Sequence, residues 1–354
     1  MEEACRLVAL SPASAYALRR RAARLVPAHR WWRALPVLGL WAREFVPELR
    51  RLAPDLVHVH DVHLLDAVAT AFPAGPGRPA VVYDAHEYVA DLAVSGARTR
   101  RAVDAWAALE RDRIGTADRV VTVAPGIAER LRADHRLDHL PAVVYNAPLR
   151  WPDVHASRDL RAEAGVGPDV PLAVYSGAVS PARGLDTVVR ALVEVPDLHL
   201  AVVAVPFPHP MAPALAALAE HVGVEDRLHL VPPVPSHEVP AYLAGADVAV
   251  SPIRGDSASY DMALPNKLFE FVHAGLPIAT SDLREMSAFV RAHGLGTVFA
   301  QGDPAACADA LRAALATHPD AGVLERLREE FAWQGQEGVG ARGGVALGED
   351  GAEP

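Results

Sequence analysis

From Asp55 onward, short and almost wholly apolar runs alternate with longer stretches of helical period. The runs are Leu56–His60, Ala80–Tyr83, Arg119–Val123 and Ala142–Tyr145, then Leu172–Tyr175, Leu198–Val205, Leu228–Val231, Asp247–Val250 and Pro277–Thr280. Near-continuous Val, Leu and Ala runs read as strands buried on both faces, and strands that alternate with helices form parallel sheets. They are too many for one sheet, and Ala147-Pro148-Leu149-Arg150-Trp151-Pro152 breaks the rhythm. The pattern predicts an α/β protein with two doubly wound, Rossmann-like domains and a cleft between them. The domains are placed at 1–150 and 151–334, with a linker near 148–168. The segment 335–354 has seven glycines and no aromatic residue, which predicts a disordered tail.

In open parallel sheets, ligands bind beyond the carboxyl ends of the strands. Four runs end in polar residues there: His60-Asp61-Val62-His63, Asp84-Ala85-His86-Glu87, Asn146 and Ser176-Gly177. Each alone is also ordinary loop chemistry, so they count as a set.

Composition narrows the classes. At 354 residues and 51% hydrophobic, the chain can build two sizeable cores, and no run of 18 apolar residues offers a membrane span. The start Met1-Glu2-Glu3-Ala4-Cys5-Arg6 does not read as a signal peptide. Cys5 and Cys307 form no disulfide framework, so a reduced, cytoplasmic protein is expected. A net charge of −10 argues against general nucleic-acid binding. One stretch departs from that balance: nine arginines lie between Arg19 and Arg51, interleaved with Trp31, Trp32 and Trp41. It suits peripheral contact with an anionic membrane face, and equally an ordinary helix with a solvated basic face and tryptophans packed inward.

Among 34 Lys and Arg residues, Lys267 is the single lysine. It stands in Pro265-Asn266-Lys267-Leu268-Phe269-Glu270, which reads as a loop running into a helix. An ammonium is a compact point charge for which arginine's planar fork is no substitute at a phosphate. A helix start favours anions, and Glu270 one turn on can accept from hydroxyls. The combination points to a phosphorylated ligand that also carries hydroxyl groups.

Other motifs fall away. His58-Val59-His60-Asp61-Val62-His63 invites a metal, but Val62 stands where a metallo-hydrolase motif needs Asp. Strand alternation also points His58 and His60 to one face and His63 beyond it. His86-Glu87 starts H-E-x-x-H, but Ala90 occupies the second His position. No G-x-G-x-x-G follows a strand and no G-x-S-x-G occurs, so neither metal nor nicotinamide is expected.

Over about residues 55–333 the chain resembles the family 4 glycosyltransferases, retaining enzymes of the GT-B fold. Tyr175-Ser176-Gly177 through Ala182-Arg183-Gly184-Leu185-Asp186 is similar to the family's glycine loop with its basic residue. Ala246-Asp247-Val248-Ala249-Val250-Ser251-Pro252 is similar to its A-D-x-x-x-x-P strand, and Pro265–Phe271 with Ala274-Gly275-Leu276-Pro277 to its donor-binding helix. Val82-Tyr83-Asp84-Ala85-His86-Glu87 matches a segment common in the first domain of such enzymes.

The resemblance implies a hexosyltransferase that moves a sugar from a nucleoside-diphosphate donor to a glycan or lipid-linked acceptor of the cell envelope. No cofactor or metal is implied. Arg183 and Lys267 would take the diphosphate charge. Gly177, Asn266, Leu268 and Glu270 would complete the donor site, and His86 would face the transferred sugar.

Three departures go with it. Met262 stands where many members carry the first Glu of E-x7-E, leaving Asp261, Tyr260 and Ser259 as sugar-contact candidates. The first βαβ unit of the family is expected to be missing from the N-terminal domain. Phe331-Ala332-Trp333 leads into the glycine-rich tail where the family has a closing helix. A non-catalytic nucleotide-sugar binder derived from this fold is the alternative.

Overall fold

The computed structural model describes residues 32, 36–94, 98–150 and 154–336. They divide into two compact units, one ending at Val144 and taking in Ser257–Ser259, the other starting at Tyr145. Residues 1–31, which carry the start of the basic segment and the expected loss of a βαβ unit, lie outside the described residues.

The first unit holds four parallel strands in the order β1-β2-β3-β4: Leu56–His60, Ala80–Ala85, Arg119–Thr122 and Ala142–Val143. Helices Val62–Ala71, Arg100–Arg113 and Pro125–His135 connect them. The hydroxyl of Thr99 caps the second helix by accepting from the Ala102 N–H, and Pro125 opens the third where its missing N–H costs nothing. β1 is not buried on both faces as its apolar run predicts: Val57 and Val59 are buried, whereas Leu56, His58 and His60 are exposed. The polar face belongs to the histidines, and it lies beside β2 in a register that sets His60 against Asp84.

The second unit holds six parallel strands in the order β10-β9-β8-β5-β6-β7. These are β5 Leu172–Gly177, β6 His199–Ala204, β7 Leu228–Val231, β8 Val248–Ser251, β9 Ile278–Ser281 and β10 Gly296–Phe299. Here the prediction of two buried faces holds for the central strands, with every residue of β8 and β9 and all of β5 but Gly177 buried, but not for the edge strand β7, where only Val231 is buried. Strand β10 was not among the predicted runs. It starts with Gly296 and Thr297, so its apolar run is only Val298 and Phe299. The chain winds from β5 to β7 on one side, then crosses to β8 on the other side of β5. The reversal opens a switch point between β5 and β8, where such sheets bind ligands.

One boundary differs from the sequence pattern. Gly335 and Gln336, assigned above to the tail, form a 3₁₀ turn with Trp333, and the Gln336 side-chain amide bonds both the N–H and the carbonyl of Tyr145. That two-sided amide pairing anchors the turn. Residues 337–354 lie outside the described residues. Helix Pro36–Leu52, from the basic segment, packs Val46 and Ala42 on Ala67 and Ala71. Its arginines are engaged locally: Arg43 with Glu44, Arg51 with Glu48, and Arg50 with the carbonyls of Thr70 and Ala71. Trp32 is buried, with the Arg113 guanidinium 5.5 Å from its ring. These residues follow the inward-packed reading; Trp31 and the side chain of Trp41 lie outside the described residues.

Candidate functional site

The switch point of the second unit is built by three pieces of chain. β5 ends at Gly177, whose φ of 124° lies in a region that L residues rarely adopt. The loop beyond it runs to Gly184, where a Cβ would stand 2.0 Å from the Pro252 carbonyl oxygen. Only glycine lets this loop close on the one that follows β8. Arg254 fastens the two loops, its N–H to the Ala182 carbonyl at 2.9 Å and its guanidinium to Asp186 at 2.6 Å. The third piece is helix Asn266–Ala274, with Pro265 in extended conformation at its N-cap position.

Lys267 sits at the centre. It is 8% exposed, and its Nζ lies 3.7 Å from the centre of the Tyr175 ring. A Cβ at position 177 would come within 3.3 Å of that nitrogen, so glycine there keeps the ammonium's space open. The Nζ is buried and hydrogen-bonds to no group among the described residues. Burial first, and then the charge of Arg183, hold its pKa well below the usual lysine value, with Glu270 pulling the other way. Burial likewise raises the Glu270 carboxyl, against the attraction of Lys267. Burial lifts the Tyr175 phenol to about 12, so it stays protonated and donates to the Ala178 carbonyl at 2.7 Å. A buried ammonium with no hydrogen-bond acceptor is costly even over an aromatic ring, and the groups that best offset such a cost are anions.

The other donor-side residues divide. Asn266 is exposed at the first helical position, where N–H groups are free to meet a ligand. Arg183 lies 5.6 Å over the Tyr260 ring, which brings Tyr260 into the same group. Leu268 is fully buried in the core and its N–H is bonded to the Pro265 carbonyl, so it has no group to offer a donor. Asp261 accepts from the N–H of Arg284 at 2.9 Å and thereby caps helix Arg284–Ala292. Ser259 and Met262 are buried.

His86 belongs to the first unit, just past β2. Its Nε2 is 3.0 Å from His60 Nδ1 and 3.5 Å from Asp84 Oδ2. His58 Nε2 and His60 Nδ1 reach the same oxygen at 3.4 and 3.3 Å. His63 stands apart, packed edge-on to Trp106. Beneath the sheet, Tyr83 donates to the fully buried Glu110 at 2.7 Å, and His135 reaches its other oxygen at 3.2 Å.

Several of these were missed in the sequence. Tyr175 carried a signal, an aromatic residue two positions before the glycine that ends its strand. Arg254 and Glu110 carried none, because their partners are distant in the chain.

Comparison with known proteins fits this architecture. Residues 4–147 match the family profile described as "Glycosyltransferase Family 4", and residues 170–317 the one described as "Glycosyl transferases group 1". A D-inositol 3-phosphate glycosyltransferase of Nocardia farcinica is 29% identical over 232 residues, which cover 62% of this chain and 48% of the relative. A GDP-mannose-dependent alpha-(1-6)-phosphatidylinositol monomannoside mannosyltransferase of Mycolicibacterium smegmatis is 34% identical over 130 residues, 36% of this chain and 33% of the relative. The matches thus span about half the length, or less, of these curated relatives.

Among solved structures, sucrose-phosphate synthase from Thermosynechococcus elongatus superposes with a TM-score of 0.69 at 19% identity, covering 90% of this chain and 79% of that one. Anabaena HepE in complex with UDP-glucose gives 0.63 at 16%, covering 86% and 81%. At such identities the likeness is one of fold.

Proposed function

The chain belongs to the family 4 glycosyltransferases of the GT-B fold, and from that premise we propose that it moves a hexosyl group from a nucleoside-diphosphate sugar to a glycan or lipid-linked acceptor, with retention at the anomeric carbon. The observation that carries the reading is the Lys267 ammonium, buried and without a hydrogen-bond partner among the described residues. A diphosphate supplies the missing acceptors. Arg183 adds a second cation, and the exposed start of helix Asn266–Ala274 adds N–H donors. Glu270, one turn past Asn266, is the acceptor for the ribose hydroxyls.

In the proposed transfer, the bond from the anomeric carbon to the diphosphate oxygen breaks while the acceptor oxygen approaches from the same face. The acceptor's proton passes to the departing phosphate oxygen. Lys267 and Arg183 stabilise the charge that grows on the diphosphate, so no metal is called on for that step. His86 is the group proposed to hold the acceptor hydroxyl or the transferred sugar. Of the two curated relatives named above, one is a D-inositol 3-phosphate glycosyltransferase and the other a GDP-mannose-dependent phosphatidylinositol monomannoside mannosyltransferase, which supports a polyol or lipid-linked acceptor. No helix among the described residues is long and apolar enough to cross a membrane.

A panel of nucleoside-diphosphate sugars, read by product mass and released nucleoside diphosphate with excess EDTA present, tests this. Turnover in EDTA is expected. Abolition by EDTA with rescue by Mg²⁺ or Mn²⁺ would overturn the metal-free step. A second reading, a non-catalytic nucleotide-sugar binder, is favoured by one feature: Met262 is buried where the first Glu of E-x7-E is absent, and Asp261 beside it caps a helix. Tight donor binding with no transfer or hydrolysis for any donor would establish it.

A further inference from the structure

Tyr175 is fully buried near the end of β5, two residues before Gly177. Its ring lies against the Lys267 ammonium, with Nζ 3.7 Å from the ring centre. We propose that Tyr175 is a positioning residue of the donor site: the face of its ring holds the Lys267 ammonium charged and in place while the site is empty, ready for a diphosphate. The readiness for a diphosphate rests on the donor reading above; the contact itself does not.

The amine has little else to keep its charge. Its Nζ hydrogen-bonds to no group among the described residues. Burial works against the ammonium first, and the charge of Arg183 second. Glu270, on the same helix, favours it, but burial raises the Glu270 carboxyl as well and weakens that help. An aromatic face carries the negative side of the ring quadrupole, and a desolvated cation over it gains more than an exposed one. The ring is held in orientation. Its hydroxyl donates to the Ala178 carbonyl at 2.7 Å, and with the phenol lifted to about 12 that proton stays on. Gly177 keeps the neighbouring space clear: a Cβ there would stand 3.3 Å from Nζ and 3.8 Å from the Tyr175 hydroxyl. Arg183, the second cation of the site, has the same kind of partner, its guanidinium 5.6 Å from the Tyr260 ring centre. A ring suits this task better than a carboxylate. A carboxylate at contact distance would compete with the diphosphate for the ammonium. A ring face accepts no strong hydrogen bond and leaves the N–H groups of the ammonium for phosphate oxygens.

Because Lys267 is the single lysine, isotope-labelled lysine reports on it alone. The full chain with ¹³C,¹⁵N-lysine is titrated without ligand and the Lys267 ε-group followed by NMR. Tyr175→Phe serves as the reference, and the same position is then filled with mono-, di- and trifluorinated phenylalanine. Fluorine withdraws charge from the ring face while nearly keeping its shape, so a ring with a merely structural role is indifferent to it. The Lys267 midpoint should fall step by step with added fluorine, by about one pH unit in all. In wild type the ε-methylene protons should resonate upfield of those of free lysine, as protons over a ring face do. A midpoint that stays put across the fluorine series would overturn the proposal. So would ε-protons at the free-lysine position in wild type, a readout that needs no variant. Inorganic pyrophosphate separates this result from the donor reading, because a bound diphosphate should raise the wild-type midpoint. A midpoint indifferent to pyrophosphate, with the fluorine effect intact, would overturn the donor reading while leaving the ring's hold on the ammonium established.

Discussion

The two polar centres of this protein solve opposite problems. In the second unit, Lys267 is buried against Tyr175 with no hydrogen-bond partner among the described residues. In the first, His58, His60, Asp84 and His86 stand partly open and face one another. One centre is an amine removed from water over an aromatic face, with no hydrogen-bond acceptor among the described residues; the other is a cluster of groups with several partners of the same kind. A lone buried cation stores an unmet demand for an anion, which suits a site that must hold a highly charged leaving group. An open cluster stores no such demand until a cation or a polar substrate arrives.

The sharpest way to break the contrast is to remove the lone charge. Lys267→Ala should lose about 1.5–3 kcal/mol of nucleoside-diphosphate affinity, the range for a charged hydrogen bond. Lys267→Arg should also be impaired, because a fork does not fit the space kept open by Gly177. Unchanged affinity by calorimetry in a folded Lys267→Ala protein would remove the basis of the proposed donor site.

The complementary change in the open centre should leave donor binding alone. His86→Ala, assayed in EDTA so that bound metal plays no part, should cut turnover by about 10²-fold, as for a lost positioning or proton-transfer group. Nucleoside-diphosphate affinity should barely move. Near-normal turnover would leave His86 with no part in transfer.

Titration should separate the centres further. Burial and Arg183 lower the pKa of Lys267 in the free protein, and a bound diphosphate would raise it again. Binding therefore takes up a proton once pH exceeds the free-protein value, and affinity falls as pH rises through that window. The folded pKa also lies below that of the unfolded chain, so this residue's contribution to stability increases with pH over the same window. Calorimetry in buffers of different ionisation enthalpy measures the uptake. A pH-independent affinity with no proton uptake would mean that the amine stays charged or lies off the diphosphate.

The smallest effect is expected at Glu270. Glu270→Gln should weaken a nucleoside diphosphate by about 1 kcal/mol while leaving inorganic pyrophosphate nearly untouched. Equal loss for both ligands would assign Glu270 to holding the helix start.

The second unit was the more legible of the two in sequence. Its strands β5, β6, β8 and β9 are almost wholly buried, so they read as nearly unbroken apolar runs, and the P-N-K-L-F-E-F segment marks the helix at which the donor is proposed to bind. Strand β10 escaped because Gly296 and Thr297 leave it only two consecutive apolar residues, Val298 and Phe299, too short a run to read as a strand. In the first unit the histidines of β1 were visible but looked like a failed motif, since Val62 broke the spacing. Their partner is Asp84, supplied by strand register and not by local sequence.

Sequence alone determined what short-range physics encodes: the alternation of apolar run and helix, the family to which the chain belongs, and a unique lysine at a helix start. Tertiary structure decided which of those polar residues stand together. It took Leu268 into the core and Asp261 onto a helix end, and it set Tyr175 beneath the ammonium. It also gathered three histidines around one carboxylate. Periodicity is a property of neighbours in the chain, whereas burial and convergence depend on crossovers that bring distant strand ends side by side.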